Sequence, residues 1–154
     1  MSALTDRIRR IIASGNDMTI ATVRPDGWPQ AVTVSYAGDG LAIYFGTGAA
    51  SQKARNLAKN NKVSLTINLP YADWNHIEGI SAAGLATRIT DPAELARFGQ
   101  VMLAKFPQVM SAVPPEGAGE MAMFRVTLTV VSVLDYTKGF GHTELVELGA
   151  AATA

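Results

Sequence analysis

The pattern that decides the fold class is VSLTINL at residues 63–69, in which every second residue is apolar. A period of two is typical of a β-strand with one buried face. A second alternating run places Val32, Val34 and Tyr36 on one face and Thr33 and Ser35 on the other. Further runs rich in strand-forming residues lie at 18–23, 41–45, 77–90, 121–136 and 143–148.

Turn signals separate these runs at short intervals. RPDG at residues 24–27 and GDG at residues 38–40 are typical of tight turns, so the first three runs are predicted to form an antiparallel meander. The long run 77–90 is expected to bend at Gly79 or Gly84. The connections are too short for helical crossovers between parallel strands.

Three helices are predicted beside the strands. Thr5 is expected to cap the first, which ends near Gly15 and buries Ile8, Ile11 and Ile12. Ser51 is expected to cap a helix over residues 52–60, after residues 46–50, which are too small and flexible for a strand interior. The third begins at Asp91-Pro92 and is expected to pack on the sheet through Leu95, Phe98, Met102 and Phe106.

These elements predict a mainly β protein with peripheral helices, built as an antiparallel barrel of six or seven strands. Residues 1–148 are expected to form a single domain, and residues 149–154 a disordered tail. Residues 107–120, which hold three prolines and two glycines, are expected to form a loop or lid.

Composition excludes several classes of protein. The 154 residues are 48% hydrophobic and 17% charged, which argues against intrinsic disorder, and the absence of cysteine excludes disulfides, thiolate metal sites and thiol catalysis. No apolar run approaches the length of a membrane span, and the N-terminus lacks the apolar stretch of a signal peptide. We therefore expect a cytoplasmic protein that does not associate with membranes.

The charge distribution favours a small anion over nucleic acid. The 13 basic and 13 acidic residues give a net charge of zero, whereas nucleic-acid-binding domains are usually basic overall. Residues 51–62 nevertheless carry four Lys/Arg and no acid. This local cluster is either a solvated helix face or part of an anion site.

Few residues qualify for acid–base or metal chemistry. His76 and His142 are far apart in sequence, and neither has a partner at metal-ligand spacing. The sequence contains no HExxH, GxSxG, Walker A or GxGxxG motif. No metal site is predicted, and no catalytic residue is identified.

The junction FGTGAASQK at residues 45–53 is the strongest candidate site. A strand runs into small residues and then into a helix start, where free N–H groups and the positive end of the helix dipole attract anions. Thr47 and Ser51 add hydroxyl groups, and Lys53 adds a charge, so the junction suits a phosphate. The alternative is that Ser51 only caps the helix and Lys53 is solvated.

Six segments in order resemble the pyridoxamine 5′-phosphate oxidase-like family of flavin-binding split β-barrels. They are MTIATV at 18–23, DGWPQ at 26–30, VTVSY at 32–36, DGLAIYFGT at 39–47, SQKARNL at 51–57 and NNKVSLTI at 60–67. GLATRITDP at 84–92 matches the family's strand that leads into a helix. The resemblance covers about residues 5–135 and implies a split barrel, a homodimer, and FMN bound between the subunits.

The resemblance also implies which residues contact the cofactor. The strand at residues 30–35 would line the flavin ring and ribityl chain, the strand end at 45–47 would contact both, and the helix start would hold the phosphate. Partner residues near 74–81 and 138–142 would close the groove, with Trp74 or Phe140 stacking near the ring or simply packing at the interface. The expected cofactor-binding residues are Gln30, Thr33, Val34, Ser35, Phe45, Gly46, Thr47, Ser51, Gln52, Lys53, Trp74 and Phe140.

Two departures separate the chain from the vitamin B6 oxidase itself. Residues 29–35 contain no arginine, and Gln52 stands where that enzyme has an arginine before the lysine. Lys53 is then the main cation unless Arg55 or Arg24 substitutes. The vitamin oxidase's substrate-binding histidine and arginine also lack a secure counterpart, with only His142 available.

Three functions remain open at this point. The leading one is an FMN-dependent oxidoreductase that acts on NAD(P)H or a small-molecule substrate. The second uses a deazaflavin coenzyme, whose longer tail would reach Arg55, Lys59 and Lys62. The third is a non-catalytic flavin- or ligand-binding module for storage, sensing or stress response.

Overall fold

The computed structural model describes residues 2–110 and 119–149, in which eight strands form one antiparallel sheet. The strands are β1 (Asp17–Val23), β2 (Pro29–Ser35), β3 (Ala37–Asp39), β4 (Ala42–Gly48), β5 (Lys62–Asn68), β6 (Glu78–Arg88), β7 (Met121–Asp135) and β8 (Thr143–Glu147). The helices are α1 (Ala3–Ser14), α2 (Gln52–Lys59) and α3 (Pro92–Lys105), with short 3-10 turns at Trp74–His76, Pro107–Met110 and Tyr136–Lys138.

The strand order explains how the sheet closes. Strands follow one another as β2-β1-β5-β6-β7-β4-β3, and β8 pairs with β7. The two ends of this path, β2 and β3, are separated in sequence by Tyr36 alone. The sheet therefore curls until its ends meet at Tyr36, which confirms the predicted antiparallel split barrel.

Two details of the predicted topology are wrong. The strand count is eight among the described residues, because Ala37–Asp39 pairs with β4 where only a turn was expected. The first three runs do not form a continuous meander either. β1 pairs with β2 and β3 pairs with β4, but these two hairpins lie at opposite ends of the sheet path.

The interior of the barrel is built from the apolar face of each strand. In β5 the alternation buries Val63, Leu65 and Ile67, as the sequence predicts. α1 adds Ile8, Ile11 and Ile12 to the same cluster, and each buried side chain contributes about 1.5–3 kcal/mol. This packing holds α1 against the sheet, chiefly against β3 and β6.

The start of α1 differs from the prediction. Ser2, not Thr5, is the N-cap, because its Oγ accepts a hydrogen bond from the backbone N–H of Thr5 at 3.1 Å. Thr5 is buried inside the first turn. The helix ends at Gly15, as expected.

The bend in β6 lies at the second of the two predicted glycines. Pairing with β7 shifts register between Ala83 and Gly84. A Cβ at Gly84 would lie 2.8 Å from the carbonyl oxygen of Thr127, so the close approach requires glycine. Gly79 keeps the regular register, and a Cβ there would lie 2.5 Å from the carbonyl oxygen of Ile67.

α3 packs on the sheet less extensively than its spacing predicts. Asp91 caps it and Pro92 opens it, as expected, but of its apolar residues only Phe98 is buried. Phe98 meets Tyr44 edge-on at 5.8 Å between ring centroids. Leu95 remains largely exposed, while Met102 and Phe106 are half-buried.

Two sequence predictions fall mostly outside the described residues. Of the predicted loop or lid at 107–120, residues 107–110 form a 3-10 turn and residues 111–118 are not described. Of the predicted tail at 149–154, only Gly149 is described. Within the described ranges, no helix has the length and apolar character needed to cross a membrane.

Candidate functional site

The strand that leads to the predicted phosphate site is longer than expected. Residues 46–50 were predicted to be a loop, but β4 continues to Gly48. The reason is its pairing with β7, in which Thr47 lies opposite Ala122 and Gly48 opposite Met121. Thr47 is therefore held on a rigid, buried strand rather than on a flexible loop.

Three predicted residues meet at the start of α2, and we call Thr47, Ser51 and Lys53 the anion site. Ser51 caps the helix, since its Oγ accepts from the backbone N–H of Ala54 at 3.1 Å. The Oγ atoms of Thr47 and Ser51 lie 3.2 Å apart. The Nζ of Lys53 donates to Thr47 Oγ1 at 3.4 Å. The structure thus brings together the hydroxyls and the cation that the sequence singled out.

The ammonium group of Lys53 lacks a counter-charge. Burial lowers the pKa of Lys53 from its usual value, because the partly desolvated charge is less favourable than in water. Among residues 2–110 and 119–149, no carboxylate lies within ion-pair distance of its Nζ. A bound anion would supply the missing charge, at a helix end whose dipole also favours anions.

Arg55 and Arg24, the two cations expected to substitute in the phosphate site, are bonded to neighbouring residues. Arg55 donates to the carbonyl oxygen of Ala50 at 2.7 Å and to Gln52 Oε1 at 2.8 Å. Arg24 pairs with Asp26 at 2.7 Å. An open cavity of about 570 Å³ is lined by Arg24, Pro25, Asp26, Gln30 and Gln52.

Asn56 hydrogen-bonds to two residues that line this cavity, Gln30 and Gln52, and sequence reasoning missed it. Its side chain is fully buried, and its Nδ2 donates to Thr22 Oγ1 at 2.9 Å and to Gln30 Oε1 at 3.0 Å. Its Oδ1 accepts from Gln52 Nε2 at 2.8 Å. The sequence did contain a signal for this buried residue. Asn56 is a polar amide on the apolar face of α2, four residues after Gln52 and next to Leu57.

The predicted flavin-lining residues of β2 lie along an exposed strand. β2 is paired on one side only, and Val32 is 38% exposed, so the expected half-buried alternation is not seen in the single chain. Thr33 Oγ1 lies 3.5 Å from Thr19 Oγ1, and Ser35 Oγ donates to Asp17. Val34 is half-buried. Gln30 and Ser35 are about 17 Å apart along the strand, so only Gln30 reaches α2.

The structure places Phe45 in the core. Its ring is fully buried and stacks on Phe124 at 5.3 Å between centroids. Any contact between Phe45 and a ligand would come from its backbone. Gly46 is partly exposed, and a Cβ there would lie 3.6 Å from the ring of Phe98.

The predicted stacking residues Trp74 and Phe140 lie together with Tyr136, and we call these three residues the aromatic cluster. Trp74 and Phe140 are 65% and 72% exposed, with ring centroids 5.8 Å apart, and Tyr136 lies 5.5 Å from Phe140. Tyr136 follows the last residue of β7, whereas the anion site adjoins its first. The strand between them spans about 45 Å, so the cluster does not reach the anion site of its own chain.

The two histidines are held by nearby carboxylates. His76 Nδ1 lies 2.8 Å from Asp73, and His142 Nε2 lies 3.2 Å from Glu144. These hydrogen bonds lower the pKa of both carboxyl groups. In the part of the chain that the structure describes, no cluster of His, Cys, Asp and Glu suits a metal ion.

Comparison with known families gives one clear match. The sequence profile of the pyridoxamine 5′-phosphate oxidase family matches residues 4–135, most of the chain. Among curated proteins, no sequence is significantly similar to it.

Solved structures share the fold. A heme-binding protein from Mycobacterium smegmatis superposes with a TM-score of 0.79 at 23% identity, and the match covers 96% of this chain and 59% of that protein. This chain therefore spans about three fifths of the length of the heme-binding protein. The conserved protein Rv2991 from Mycobacterium tuberculosis gives 0.72 at 23% identity, over 98% and 94%. General stress protein 26 from Bacillus anthracis gives 0.68 at 17% identity, over 96% and 100%.

Proposed function

Because the chain belongs to the pyridoxamine 5′-phosphate oxidase family, we propose that it is an FMN-dependent oxidoreductase distinct from the vitamin B6 oxidase. The observation that carries this proposal is the anion site at the end of β4, where two hydroxyls converge with an ammonium group that has no carboxylate partner among the described residues. A phosphate monoester, with its double negative charge, is the group that such donors suit.

The residues present fit the phosphate of FMN. Thr47 and Ser51 offer hydroxyl hydrogens, and Lys53 offers a charge that burial leaves uncompensated. Binding an anion here relieves the desolvation of Lys53 and raises its pKa toward the ordinary value. The binding energy therefore comes from groups that the free protein has already ordered.

The remaining predicted residues would orient the rest of the cofactor. Bound FMN supplies the hydride-transfer chemistry, so the chain needs few acid–base groups of its own. Thr33 lies on β2 where its hydroxyl can donate to the ring or the ribityl chain, and Ser35, whose hydrogen goes to Asp17, can accept a hydrogen bond from the cofactor. NAD(P)H or a small-molecule substrate would be the reaction partner.

A homodimer would complete the site. The aromatic cluster is too far from the anion site of its own chain, whereas a second copy can bring Trp74 or Phe140 to it. The exposed residues of β2 support the same arrangement, because a partner or ligand would cover them. The residues around 138–142 would then close the groove, as the family resemblance implies.

Two alternatives use the same fold. A non-catalytic module that binds flavin or heme is favoured by the similarity to the M. smegmatis heme-binding protein. A deazaflavin coenzyme would need its longer tail to follow the exposed Lys59 and Lys62. Arg55 is less suited to that tail, since Ala50 and Gln52 already accept its hydrogen bonds.

The visible absorption spectrum of the freshly purified protein tests the proposal. Flavin bands, or saturable quenching of added FMN fluorescence, would support it, and a colourless protein that leaves FMN fluorescence unchanged would contradict it. A Soret band would favour heme, and tighter binding of deazaflavin than of FMN would favour that coenzyme. Turnover of NAD(P)H with a quinone or dye, well above the rate of free FMN, would separate an enzyme from a binding module.

A further inference from the structure

A cavity of about 190 Å³ lies between α2 and the sheet, outside the site described above. Its floor is apolar, because the buried side chains of Leu57, Ala86 and Phe124 line it. Its rim is formed by exposed residues of α2 and by Arg88, the last residue of β6. A cavity that combines an apolar floor with a few polar groups at its opening is typical of small-molecule sites.

Small side chains create this space, and a fixed aromatic ring keeps it open. Four of the eight lining residues are alanines, two of them on α2, one in β6 and Ala49 after β4. Phe124 stacks on Phe45 at 5.3 Å between ring centroids, and its backbone pairs with Arg88 in β6. An apolar cavity of about 150 Å³ is large enough for one benzene ring. The cavity under α2 therefore has room for a single ring or a short branched chain.

Two guanidinium groups lie at the rim. Among the described residues that line the cavity, Arg55 and Arg88 are the charged ones, and none is acidic. Arg55 donates through Nη1 to Ala50 and through Nη2 to Gln52, so its position is fixed while its other N–H groups stay available. The opening of the cavity therefore carries positive charge next to an apolar floor.

The ion pair between Arg88 and Glu120 is weak. Arg88 Nη2 and Glu120 Oε1 lie 3.6 Å apart, beyond hydrogen-bond distance, and the two side chains are 48% and 79% exposed. Exposed pairs of this kind contribute little to stability. A ligand carboxylate that makes two direct hydrogen bonds to the guanidinium group can therefore displace Glu120.

We propose that this cavity binds a small apolar monocarboxylate, with its single ring or short branched chain on the floor and its carboxylate bonded to Arg88, beside Arg55. The inference goes beyond the proposed function. Thr47, Ser51 and Lys53 do not line the cavity, so this carboxylate and the phosphate of the cofactor would occupy different places.

Benzoate is the probe that tests this assignment. In amide NMR spectra of the full chain, benzoate should shift the backbone signals of Ala58, Ala86 and Arg88 in a saturable way. Benzamide has the same ring without the charge, and acetate has the charge without the ring, so each should bind at least about tenfold more weakly than benzoate. Equal affinities for benzamide and benzoate would overturn the role of the guanidinium groups. The absence of a saturable shift up to about 10 mM benzoate would overturn the site.

Charge variants locate the carboxylate. Arg88→Met keeps an apolar stem but removes the charge, so benzoate should bind at least about tenfold more weakly. Glu120→Gln removes the competing carboxylate, so benzoate should bind about two- to fivefold more tightly. Arg10→Met, on exposed surface of α1, is the matched control and should stay within about twofold of the wild type. Equal benzoate affinities for Arg88→Met and Arg10→Met would contradict the assignment.

A filling variant tests the shape of the cavity from its rim. Ala58 is exposed and lines the opening, so Ala58→Leu should block the cavity, with benzoate binding at least about tenfold more weakly. Ala96→Leu, on exposed surface of α3, is the control and should change the affinity by less than about twofold. Thermal unfolding of each variant checks that the fold is intact. Equal benzoate affinities for the two leucine variants would refute the placement under α2.

Lys53→Ala separates this inference from the proposed function. Because Lys53 does not line the cavity, Lys53→Ala should bind benzoate within about threefold of the wild type, and Arg88→Met should bind FMN within about threefold as well. If Lys53→Ala loses benzoate while Arg88→Met keeps it, benzoate binds at the anion site and the inference fails, whereas the proposed function stands. If FMN does not bind at all but benzoate binds as described, the proposed function fails and the inference stands.

Discussion

The two ends of β7 present opposite kinds of surface. At its start, beside Gly48, polar side chains are buried or half-buried and bonded to one another, with Asn56 at the centre, and Lys53 has no carboxylate partner among the described residues. At its end, Trp74 and Phe140 expose most of their rings to solvent. The hydrogen bonds of the first region are formed in the ligand-free chain, whereas the second region has large apolar surfaces that the described part of the chain leaves exposed.

The polar region and the aromatic region therefore suit different roles. The polar groups of a preordered site lose their water when the protein folds and not when a ligand binds. Such a site can therefore recognise the charge and the hydrogen-bonding pattern of a ligand. Exposed aromatic rings contribute little to the stability of one chain but contribute strongly when a partner covers them. In the proposed homodimer, one chain would supply the polar region of a site and the other chain its aromatic cluster.

The largest effect on stability is expected from Asn56→Leu. The change removes both donors and the acceptor of a fully buried amide, so that Thr22 Oγ1, Gln30 Oε1 and Gln52 Nε2 each lose this partner. We expect the free energy of unfolding to fall by about 2–4 kcal/mol in urea titrations. Asn61→Leu, on exposed surface in the connection after α2, is the matched control, with a change below about 0.5 kcal/mol. Similar losses for both variants would refute the central role of Asn56.

Trp74→Ala separates the stability of one chain from that of the assembly. The ring is exposed, so the unfolding free energy of the isolated chain should change by less than about 1 kcal/mol. If a second chain covers it, the dimer dissociation constant should rise about thirtyfold, as for an aromatic residue at the centre of an interface. Analytical ultracentrifugation measures this constant. An unchanged dimer would remove the aromatic cluster from the interface.

Lys53→Met should show that the unpaired cation serves binding and not folding. The apolar stem is kept while the desolvated charge is lost, so the ligand-free protein should gain about 0.5 kcal/mol at neutral pH. The pKa of Lys53 is lower in the folded state than in the unfolded state. Below the folded-state pKa the lysine is charged in both states, so the full desolvation cost of the charge lowers the stability of the folded protein. Stability then rises as pH increases between the two values.

That rise should be absent from Lys53→Met, as followed by thermal unfolding across the alkaline range. A variant that is less stable than the wild type at neutral pH would mean that Lys53 has a stabilising partner.

Local sequence patterns predicted much of the barrel and the three residues of the anion site, but not Asn56 beside it. Period-two alternation identified β5, and the small-residue junction identified Thr47, Ser51 and Lys53. Pairing across the sheet could not be predicted from the local sequence. β3 forms through its pairing with β4, and β4 extends to Gly48 through its pairing with β7. Asn56 escaped notice for the same reason, since its partners Thr22 and Gln30 lie more than 25 positions away.

The most direct test of the central claim is a calorimetric titration of FMN and riboflavin into the wild type and into Lys53→Ala. The account predicts that Lys53→Ala lowers the affinity for FMN by about 1.5–3 kcal/mol, roughly ten- to a hundredfold, because a charge-assisted contact to phosphate is lost. The affinity for riboflavin should not change. Equal FMN affinities for the two proteins, or an equal loss for both ligands, would contradict the placement of the phosphate at Thr47, Ser51 and Lys53.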